Sequence, residues 1–394
     1  MNNYAEVLAT NLRRLRKARG LSQKELARLA GLSVTGYRNL ENLRLPSEPK
    51  VSTLMRIAEG LGVGLEDLLR PVPVLHAVRF RAQKKMKRRE QVLADVACWL
   101  RDYNFLEDLL GDRRHSPFGS AIAKLAQVEP GPQRAKDAAE RVRRALGLNR
   151  DEPIHDICGL LESHGVKVLA IRLESQGFFG LAIGESDGGP AVVVNTHPSI
   201  PVERWIFSAA HELGHIILHE DAFDVRKEDE NPEEEREANQ FASSFLMPDR
   251  AFTKEWSETQ GMDFYDRVLK VKRIFRVSYK TVLWRCSESK NVSYRDVIVR
   301  FQQRSVGRSG TALGRADEPS SLDAASFHAK GAETERSREP ESLSEKDFME
   351  DRLSLLVRRA IEKGEITFGR AAEILGVSYE EMRRRALLWE RPIL

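Results

Sequence analysis

Apolar residues return every three or four positions along the first seventy residues of the chain, the spacing of one buried face of an amphipathic helix. Glycines and prolines interrupt that spacing at short intervals. Ser22 and Glu25 have the spacing of a capping box at a helix start, and Ser33 is a second N-cap candidate. The pattern predicts an all-α head of five short helices. They cover residues 6–18, 22–30, 33–42, 51–61 and 65–69.

The pattern changes after Pro153, where short runs rich in β-branched residues replace the helical spacing. It predicts a small sheet followed by a long apolar helix from residue 202, which is typical of an α+β domain. The predicted elements are a helix over 154–164 and strands over 166–171, 177–184 and 191–195. We expect the last strand to lie at a sheet edge that could align an extended peptide, with Asn195, Thr196 and His197 near that cleft.

In the head, a pair of short helices joined by a tight, glycine-containing turn is typical of units that place their second helix in a DNA major groove. The runs Leu21-Ser-Gln-Lys-Glu-Leu-Ala and Gly31-Leu-Ser resemble the XRE/Cro-type DNA-binding domain, and the resemblance continues to Leu69. It implies that Gln23 holds a phosphate and that Arg38 reads guanine. The full DNA-facing set that it implies is Gln23, Ser33, Val34, Thr35, Arg38, Asn39 and Asn42. A helical protein-interaction module with a solvated basic surface is the alternative.

The run His211-Glu-Leu-Gly-His215 carries the strongest chemical signal in the chain. Residues four apart lie about 40° from each other around a helix, so both imidazoles can reach one metal ion while Glu212 lies beside them. Two neutral histidines and a carboxylate that takes a proton from activated water are the elements of a zinc hydrolase. Two surface histidines on an ordinary helix are the alternative, but the apolar run Ile216-Ile-Leu218 favours a functional site.

A catalytic zinc site usually has a third protein ligand and one open position. Residues 233–248 have the apolar spacing of a second helix packed on the core, and Glu235 and Asn239 share one face of it. We expect Glu235 to be the third ligand and Asn239 to hold a ligating histidine by a hydrogen bond. Glu237, about 200° around the helix from Glu235, is the second candidate, and His219, about 80° from the first histidine, is the third.

The body resembles the ImmA/IrrE family of zinc metallopeptidases over residues 150–300. The matching motifs are Phe207-Ser-Ala-Ala-His-Glu-Leu-Gly-His-Ile-Ile-Leu-His219 and Glu235-Arg-Glu-Ala-Asn-Gln-Phe-Ala. The resemblance implies a zincin-like fold with one bound Zn²⁺. The implied ligands are His211, His215 and Glu235. Glu212 is the implied general base. Members of that family are site-specific endopeptidases whose substrates include XRE-type repressors, and an N-terminal XRE domain is a recurrent fusion.

The formal net charge of +4 is unevenly distributed over the 394 residues. Residues 1–90 carry +11 and the remainder carries −7, so we expect double-stranded DNA as a partner of the head only. A two-fold operator would require a homodimer. The chain has no run of eighteen apolar residues and no apolar leader, so we expect a cytoplasmic protein with no membrane partner. The three distant cysteines, Cys98, Cys158 and Cys286, are interpreted as buried thiols.

The remaining segments are distinguished by composition. A basic run precedes helical spacing after the head, which predicts a helical spacer, and a later Ser- and Gly-rich stretch with few large apolar residues predicts a disordered linker. The predicted fold class is therefore multidomain and α+β. Its parts are an XRE-type head at 1–75, a basic helical spacer at 76–149, a zinc metallopeptidase domain at 150–302, a disordered linker at 303–345 and a C-terminal helical segment at 346–394.

A faint internal repeat relates residues 274–285 to residues 374–385. Each stretch has the pattern of a helix, a Ser-capped turn and a second helix. Both have the form of degenerate helix-turn-helix units. We interpret both as packing or dimer contacts rather than as DNA-reading units.

As a whole, the sequence predicts a DNA-binding transcriptional regulator whose zinc-dependent endopeptidase domain cleaves a regulatory protein such as a repressor. The alternative is a DNA-binding regulator whose zinc domain is a non-catalytic sensor or scaffold. Cleavage of the chain itself, within residues 76–145, is a third option.

Overall fold

A computed structural model gives the fold over most of the chain. The residues that it describes are 3–43, 48–71, 73–82, 89–118, 128–174, 177–225, 231–310, 312–314, 317–319 and 342–389. The chain divides into two compact units, and each is interrupted in the sequence by the other. The first unit comprises residues 1–75, 87–113 and 351–394, and the second comprises residues 76–86 and 114–350.

The helices and strands are numbered in chain order. They are α1 (Asn3–Ala18), α2 (Gln23–Leu29), α3 (Val34–Glu41), α4 (Val51–Leu61), α5 (Leu65–Leu69), β1 (Val78–Ala82), α6 (Arg89–Leu110), α7 (Pro132–Ala145), α8 (Ile157–Ser163), β2 (Lys167–Ile171), β3 (Phe178–Ile183), β4 (Ala191–Asn195), α9 (Val202–Leu218), α10 (Pro232–Leu246), α11 (Asp249–Glu258), α12 (Phe264–Phe275), α13 (Tyr279–Lys290), α14 (Tyr294–Ser309), α15 (Arg352–Glu362), α16 (Phe368–Ile374) and α17 (Tyr379–Trp389).

Helices α1 to α5 form the head around a single apolar core. Leu12, Leu26 and Ile57 are fully buried in it. The capping box at the start of α2 is present, because the Glu25 N–H donates to Ser22 Oγ at 3.2 Å and the Ser22 N–H donates to the Glu25 carboxylate at 2.7 Å. The prediction of an all-α five-helix head is confirmed.

The first unit has a second apolar core, formed by α6 and by the C-terminal helices α15 to α17. Tyr103 of α6 and Leu356 of α15 are fully buried in it. Arg352, which is also buried, donates to Glu107 Oε1 at 3.0 Å and to the Asp112 carbonyl at 2.6 Å. The predicted C-terminal helical segment is therefore confirmed as helical.

The second unit contains a four-stranded sheet in the order β1-β3-β4-β2. Strand β2 is parallel to β4, and β3 runs antiparallel to both β1 and β4. The prediction of a helical spacer was wrong at Val78–Ala82, where apolar and polar residues alternate with the period of a strand. Residues 83–88 of the basic run lie outside the described residues. The prediction of an edge position for β4 was also wrong, because β4 lies between β3 and β2 with all five residues buried.

Helix α9 lies against β3 and β4 on one side and against α10 on the other, and α10 also packs on α7. One large core joins these elements to α11 through α14. The predicted small sheet that carries the long His-Glu helix is confirmed.

The predicted disordered linker at 303–345 was wrong where the structure describes it. Helix α14 continues to Ser309, and Leu313 packs against the core of the second unit. Glu318 accepts a hydrogen bond from Ser278 Oγ at 2.5 Å. These described parts of the stretch contact the second unit, although its average composition is polar. Leu343 also packs against the core of the second unit, and residues 311, 315–316 and 320–341 of the predicted linker lie outside the described residues.

All three cysteines are buried, as expected. Across the described ranges, the helices are too short or too polar to cross a membrane.

Candidate metal centre and DNA-facing surface

Helix α9 carries the histidine pair through the interior of the second unit. Its residues are buried on almost every side, with His211 and His215 fully buried and Glu212 at 1% exposure. A helix buried all round is normally apolar throughout. Imidazole and carboxylate groups at such positions require polar partners or a metal ion.

The two imidazoles and the Glu235 carboxylate of α10 converge on one point. His211 Nε2 and His215 Nε2 lie 3.0 Å apart, and they lie 3.4 and 3.2 Å from the nearest Glu235 oxygens. Ligand atoms bound at about 2.05 Å around a tetrahedral ion are separated by about 3.3 Å. The three side chains therefore form a cluster that could hold a metal ion, and their donor set suits zinc.

Asn239, one turn after Glu235 on α10, lies behind His211. Its Oδ1 is 3.1 Å from His211 Nδ1. The amide oxygen can only accept, so Nδ1 carries the proton and the lone pair of Nε2 is directed at the cluster. Asn239 therefore lies within hydrogen-bond distance of one of the two histidines, as the sequence pattern predicted.

Behind His215 lies a second chain of hydrogen bonds. His215 Nδ1 is 3.0 Å from His219 Nδ1, and His219 Nε2 is 3.0 Å from Glu237 Oε2. Because a carboxylate accepts, the proton of neutral His219 sits on Nε2 and its Nδ1 accepts from His215 Nδ1–H. Burial lowers the pKa of both histidines, that of His215 well below its usual range, which favours the neutral forms. The lone pair of His215 Nε2 therefore also faces the cluster.

This arrangement separates the three candidates for the third ligand. Glu235 faces the imidazole pair, whereas Glu237 faces away and accepts from Arg134 Nη1 at 3.1 Å and from the Gly131 N–H at 2.6 Å. His219 lies between Glu237 and His215. Glu237 and His219 therefore act on the cluster only through His215.

Strand β3 lies directly over the Glu212 carboxylate at Gly180. A Cβ atom at this glycine would lie 2.8 Å from Glu212 Oε1 and 2.9 Å from the Val193 carbonyl oxygen, closer than real Cβ contacts allow. The absence of a side chain at Gly180 is what leaves room for Glu212. The sequence pattern predicted a strand here but gave Gly180 no role, because the contact joins residues 32 positions apart.

The glycine inside the motif itself has a packing role. A Cβ atom at Gly214 would lie 2.9 Å from the Phe241 ring of α10. Because Gly214 has none, α10 approaches α9 closely enough for Glu235 to reach the histidines. The signal was present in the sequence as a glycine in the middle of an otherwise apolar helix.

Arg79 of strand β1 also reaches the centre. It forms an ion pair with Glu234 and lies 3.5 Å from Glu235 Oε1, with only 13% of its side chain exposed. Arg79 belongs to the basic run that follows the head, and nothing in the sequence pattern connected this run with the metal site. The juxtaposition depends on the strand pairing of β1 with β3, which the sequence pattern did not predict.

Asn195 is a structural residue rather than part of a cleft. Its buried amide donates to the Leu173 and Phe178 carbonyls at 3.1 and 3.0 Å and accepts from the Leu173 and His197 N–H groups. Thr196 is likewise buried. The expectation that Asn195 and Thr196 lie beside a cleft at a sheet edge was wrong, since both are buried and β4 lies inside the sheet.

In the head, the predicted DNA-facing residues lie on and around α3. Ser33 caps α3 by accepting from the Gly36 N–H at 3.0 Å. Arg38 is exposed, and its Nε donates to Gln23 Oε1 at 3.3 Å, so these two residues belong to one surface. The others are half-buried or exposed: Val34, Thr35, Asn39 and Asn42.

A buried carboxylate holds that surface to the core. Glu41 is 2% exposed and accepts from Arg16 Nη2 at 2.7 Å and from Gln23 Nε2 at 3.1 Å. Burial alone would raise the pKa of Glu41, but hydrogen bonds from Arg16 and Gln23 outweigh it and hold the pKa below its usual range. Glu41 therefore positions Gln23, which in turn positions Arg38.

Comparison with known proteins matches both parts of the chain. Residues 161–287 match the M78 peptidase family, described as the IrrE N-terminal-like domain, and residues 12–68 match a helix-turn-helix family. The HTH-type transcriptional regulator SutR of Escherichia coli (strain K12) is 39% identical over 71 residues, which are 18% of this chain. The match spans 39% of SutR, well under half of that relative's length.

The family match at 161–287 contains the His-Glu cluster, and the match at 12–68 contains the α2–α3 pair. The chain thus joins an XRE-type helix-turn-helix head to a metallopeptidase-like domain of the IrrE N-terminal-like family.

Proposed function

We propose that the second unit is a zinc-dependent endopeptidase. The observation that supports this most is the convergence of His211, His215 and Glu235 at separations that suit one tetrahedral ion, with Glu212 next to them in the motif. Two imidazoles and one carboxylate are the ligand set of a well-known class of zinc peptidases. The chemistry that Zn²⁺ supplies when bound is Lewis acidity, which polarises a carbonyl and makes water acidic near neutral pH.

Glu212 is the general base in this proposal. Its carboxylate accepts a proton from the attacking water and returns it to the leaving amine. Burial against Gly180 limits the carboxylate to one position, which keeps the proton acceptor close to the reacting atoms. His211, His215 and Glu235 would hold the ion, while Asn239 and His219 fix the orientation of the two imidazoles.

Strand β1 is the best candidate for aligning the substrate. It is an edge strand of the sheet, and its Arg79 reaches Glu235. An extended peptide that pairs with β1 would gain main-chain hydrogen bonds and pass next to the metal centre. This replaces the earlier expectation that the strand at 191–195 does so.

The proposal extends to the partners. The head would bind double-stranded DNA through α3, and the peptidase unit would cleave a regulatory protein such as a repressor, so that proteolysis changes transcription. A two-fold operator would be bound by a homodimer. We expect this activity in the cytoplasm, which suits a DNA partner and cysteines that are buried thiols.

One observation favours the alternative of a non-catalytic sensor or scaffold. The imidazoles are fully buried, Glu212 is 1% exposed, and the Glu235 side chain is only 11% exposed. A metal ion held by these groups would have little open surface for a polypeptide. Under this alternative, zinc stabilises the second unit and cleaves nothing.

Glu212→Gln distinguishes the two functions. The zinc content of the purified variant, measured by mass spectrometry, should equal that of the wild type, whereas cleavage of candidate repressors should fall by two orders of magnitude or more. The control is Glu233→Gln on α10, whose side chain is 77% exposed. If wild type and Glu212→Gln regulate transcription equally, the scaffold function stands and proteolysis is not the working activity.

Arg38→Ala tests the DNA-binding part separately. Operator affinity should fall by about 1–3 kcal/mol, because an exposed guanidinium in the reading helix is lost. Arg56→Ala, an exposed position on α4, serves as the control. Equal operator affinity in the Arg38→Ala variant and the wild type would remove α3 as the reading helix.

A further inference from the structure

The C-terminal hairpin of α16 and α17 repeats the helix-turn-helix of the head. A shift of 345 positions places Thr367 on Ser22 and Ser378 on Ser33, and all four residues cap a helix in the same way. The first helix has seven residues in both hairpins. The turn glycine is left-handed in both, with φ of 63° at Gly31 and 62° at Gly376.

The hydrogen bonds of the two hairpins correspond one to one under this shift. At the first cap, the Glu25 N–H donates to Ser22 Oγ (3.2 Å) in the head and the Arg370 N–H donates to Thr367 Oγ1 (3.2 Å) in the tail. In the turn, the head has Gly31 N–H to the Arg28 carbonyl (3.1 Å) and Leu32 N–H to the Ala27 carbonyl (2.8 Å), and the tail has Gly376 N–H to the Glu373 carbonyl (3.0 Å) and Val377 N–H to the Ala372 carbonyl (2.9 Å). In the first turn of the second helix, Tyr37 N–H donates to the Ser33 carbonyl (3.0 Å) and Met382 N–H donates to the Ser378 carbonyl (2.9 Å). The two hairpins therefore share one backbone geometry. The helix-turn-helix family match ends at residue 68 and does not include the tail.

Burial follows the same register. Tyr37 and Met382, which correspond, are both fully buried and face the core. Arg38 and Arg383, the next residues, are both exposed. The position that reads bases in the head is thus an exposed arginine in the tail as well.

The other member of the internal repeat, residues 274–285, provides a contrast. Its second helix, α13, is packed into the core, and Tyr279 is fully buried. The corresponding residue of the tail, Tyr379, is 51% exposed. Of the two repeats, the tail hairpin alone presents the face of its second helix to solvent.

We propose that α17 is a second DNA-reading helix and that its ligand is duplex DNA next to the site of the head. Arg383 is placed to donate to guanine, and Arg384, whose side chain is 65% exposed, is placed to contact phosphate. Glu380, at the position of Thr35, offers an acceptor for the amino group of cytosine. These residues select a G·C-containing site rather than any acidic surface.

Two features make this second site weaker than that of the head. Phe368 takes the position of Gln23, so the phosphate-binding amide of the head is missing. Glu381 also holds Arg384 at 2.9 Å and must release it on binding. We therefore expect the tail to act when the head already holds the DNA, which raises the effective local concentration of the second half of the site.

The experiment uses the full-length protein and a duplex selected by the wild type from a pool of random sequences. The double variant Arg383→Ala/Arg384→Ala should bind this duplex about tenfold more weakly. The slope of log affinity against log salt concentration should become less steep by about one, because Arg384 is the residue placed on a phosphate. In a hydroxyl-radical footprint it should lose one protected stretch and keep the stretch that Arg38→Ala loses. The control is Arg113→Ala/Lys363→Ala, which removes the same charge from two exposed positions of the first unit outside α17.

Each outcome is decisive. An unchanged affinity and footprint, or a loss no larger than that of the control, overturns the proposal. A change in oligomeric state on Leu387→Ser/Leu388→Ser, with the footprint intact, also overturns it and assigns the exposed face to a protein partner. Failure of the role proposed for α3 can be told apart from failure of the role proposed for α17. In the first case, the Arg38→Ala variant would bind like the wild type while the tail variant still loses affinity.

Discussion

At the scale of single residues, the metal centre depends on which nitrogen of each histidine carries a proton. Asn239 fixes this for His211, and the His219–Glu237 pair fixes it for His215. In both cases an acceptor behind the ring directs the opposite lone pair at the cluster. The proposed ligands are thereby oriented by side chains outside the cluster.

Glu237→Gln tests this chain of hydrogen bonds. The amide can present an N–H to His219, which would reverse its tautomer and leave His215 with the wrong nitrogen protonated. We expect the zinc affinity to fall by about 10–100-fold, measured by competition with a chromophoric chelator. Glu233→Gln on the same helix is the control, and equal zinc affinities in the two variants would contradict the role given to Glu237.

Gly180→Ala tests the space around Glu212. The new methyl group would meet Glu212 Oε1 at 2.8 Å and push the carboxylate out of place, so kcat should fall at least tenfold while the zinc content stays at the wild-type level. Gly184→Ala, whose Cβ would lie no closer than 3.4 Å to any neighbour, is the matched control at the end of the same strand. Equal kcat values for the two alanine variants would show that Gly180 does not position Glu212.

Much of this site could be predicted from the sequence, because its geometry is local to two helices. The spacing of His211 and His215, and the shared face of Glu235 and Asn239, follow from the helical repeat alone. Gly180 and Arg79 could not be found in this way. Their contacts join different elements across the sheet, and residue spacing carries no information on such pairings.

At the scale of elements, a single buried ion pair in the head holds α3, the proposed DNA-reading helix. Glu41 at the end of α3 accepts hydrogen bonds from Nε and Nη2 of Arg16 through its two oxygens, and it also accepts from Gln23. A pKa held below its usual range means that ionised Glu41 stabilises the fold above about pH 4. That contribution is lost as the pH falls through the folded-state value.

Glu41→Gln should therefore destabilise the head by about 3 kcal/mol at neutral pH, since Arg16 is left buried without its counter-ion. The loss should shrink below pH 4, where the wild type also loses the charge. Hydrogen exchange of the amides of α1 and α3 in the full chain measures both effects. Glu59→Gln, at an exposed position of α4, is the control, and a loss that is the same at pH 7 and pH 3 would contradict the assignment.

Elements with a regular apolar pattern and clear start and stop residues were predictable, whereas strand β1 and the place of β4 in the sheet were not. The head helices and the long helix α9 follow from apolar spacing and capping residues. Strand β1 has only five residues and continues into a basic run, so the many charged residues obscured its alternation of apolar and polar positions. The edge or interior position of β4 depends on strand order, which the sequence pattern of one strand does not contain.

At the scale of the whole molecule, compositional boundaries did not coincide with the compact units. Strand β1, encoded before α6, completes the sheet of the second unit, and α15 to α17 return to the first unit from the far end of the chain. The average polarity of a segment could not reveal this, because a few contacts such as that of Glu318 with Ser278 decide where a segment packs. Each unit is therefore built from discontinuous stretches.

Metal removal should affect one of these units alone. The cluster joins α9 to α10, so zinc bound to the folded state adds a stabilisation of about 4 kcal/mol when its free concentration is a thousand times the dissociation constant. Dialysis against a chelator should remove this contribution, and hydrogen exchange of amides in residues 202–246 should become faster. Amides of residues 3–43 should exchange as before, because the described head contributes no ligand to the cluster. Re-addition of Zn²⁺ should restore protection in the wild type but not in His211→Ala. If protection at 202–246 is the same with and without the chelator, the ion does not bind between these helices and the proposed catalytic role has no basis.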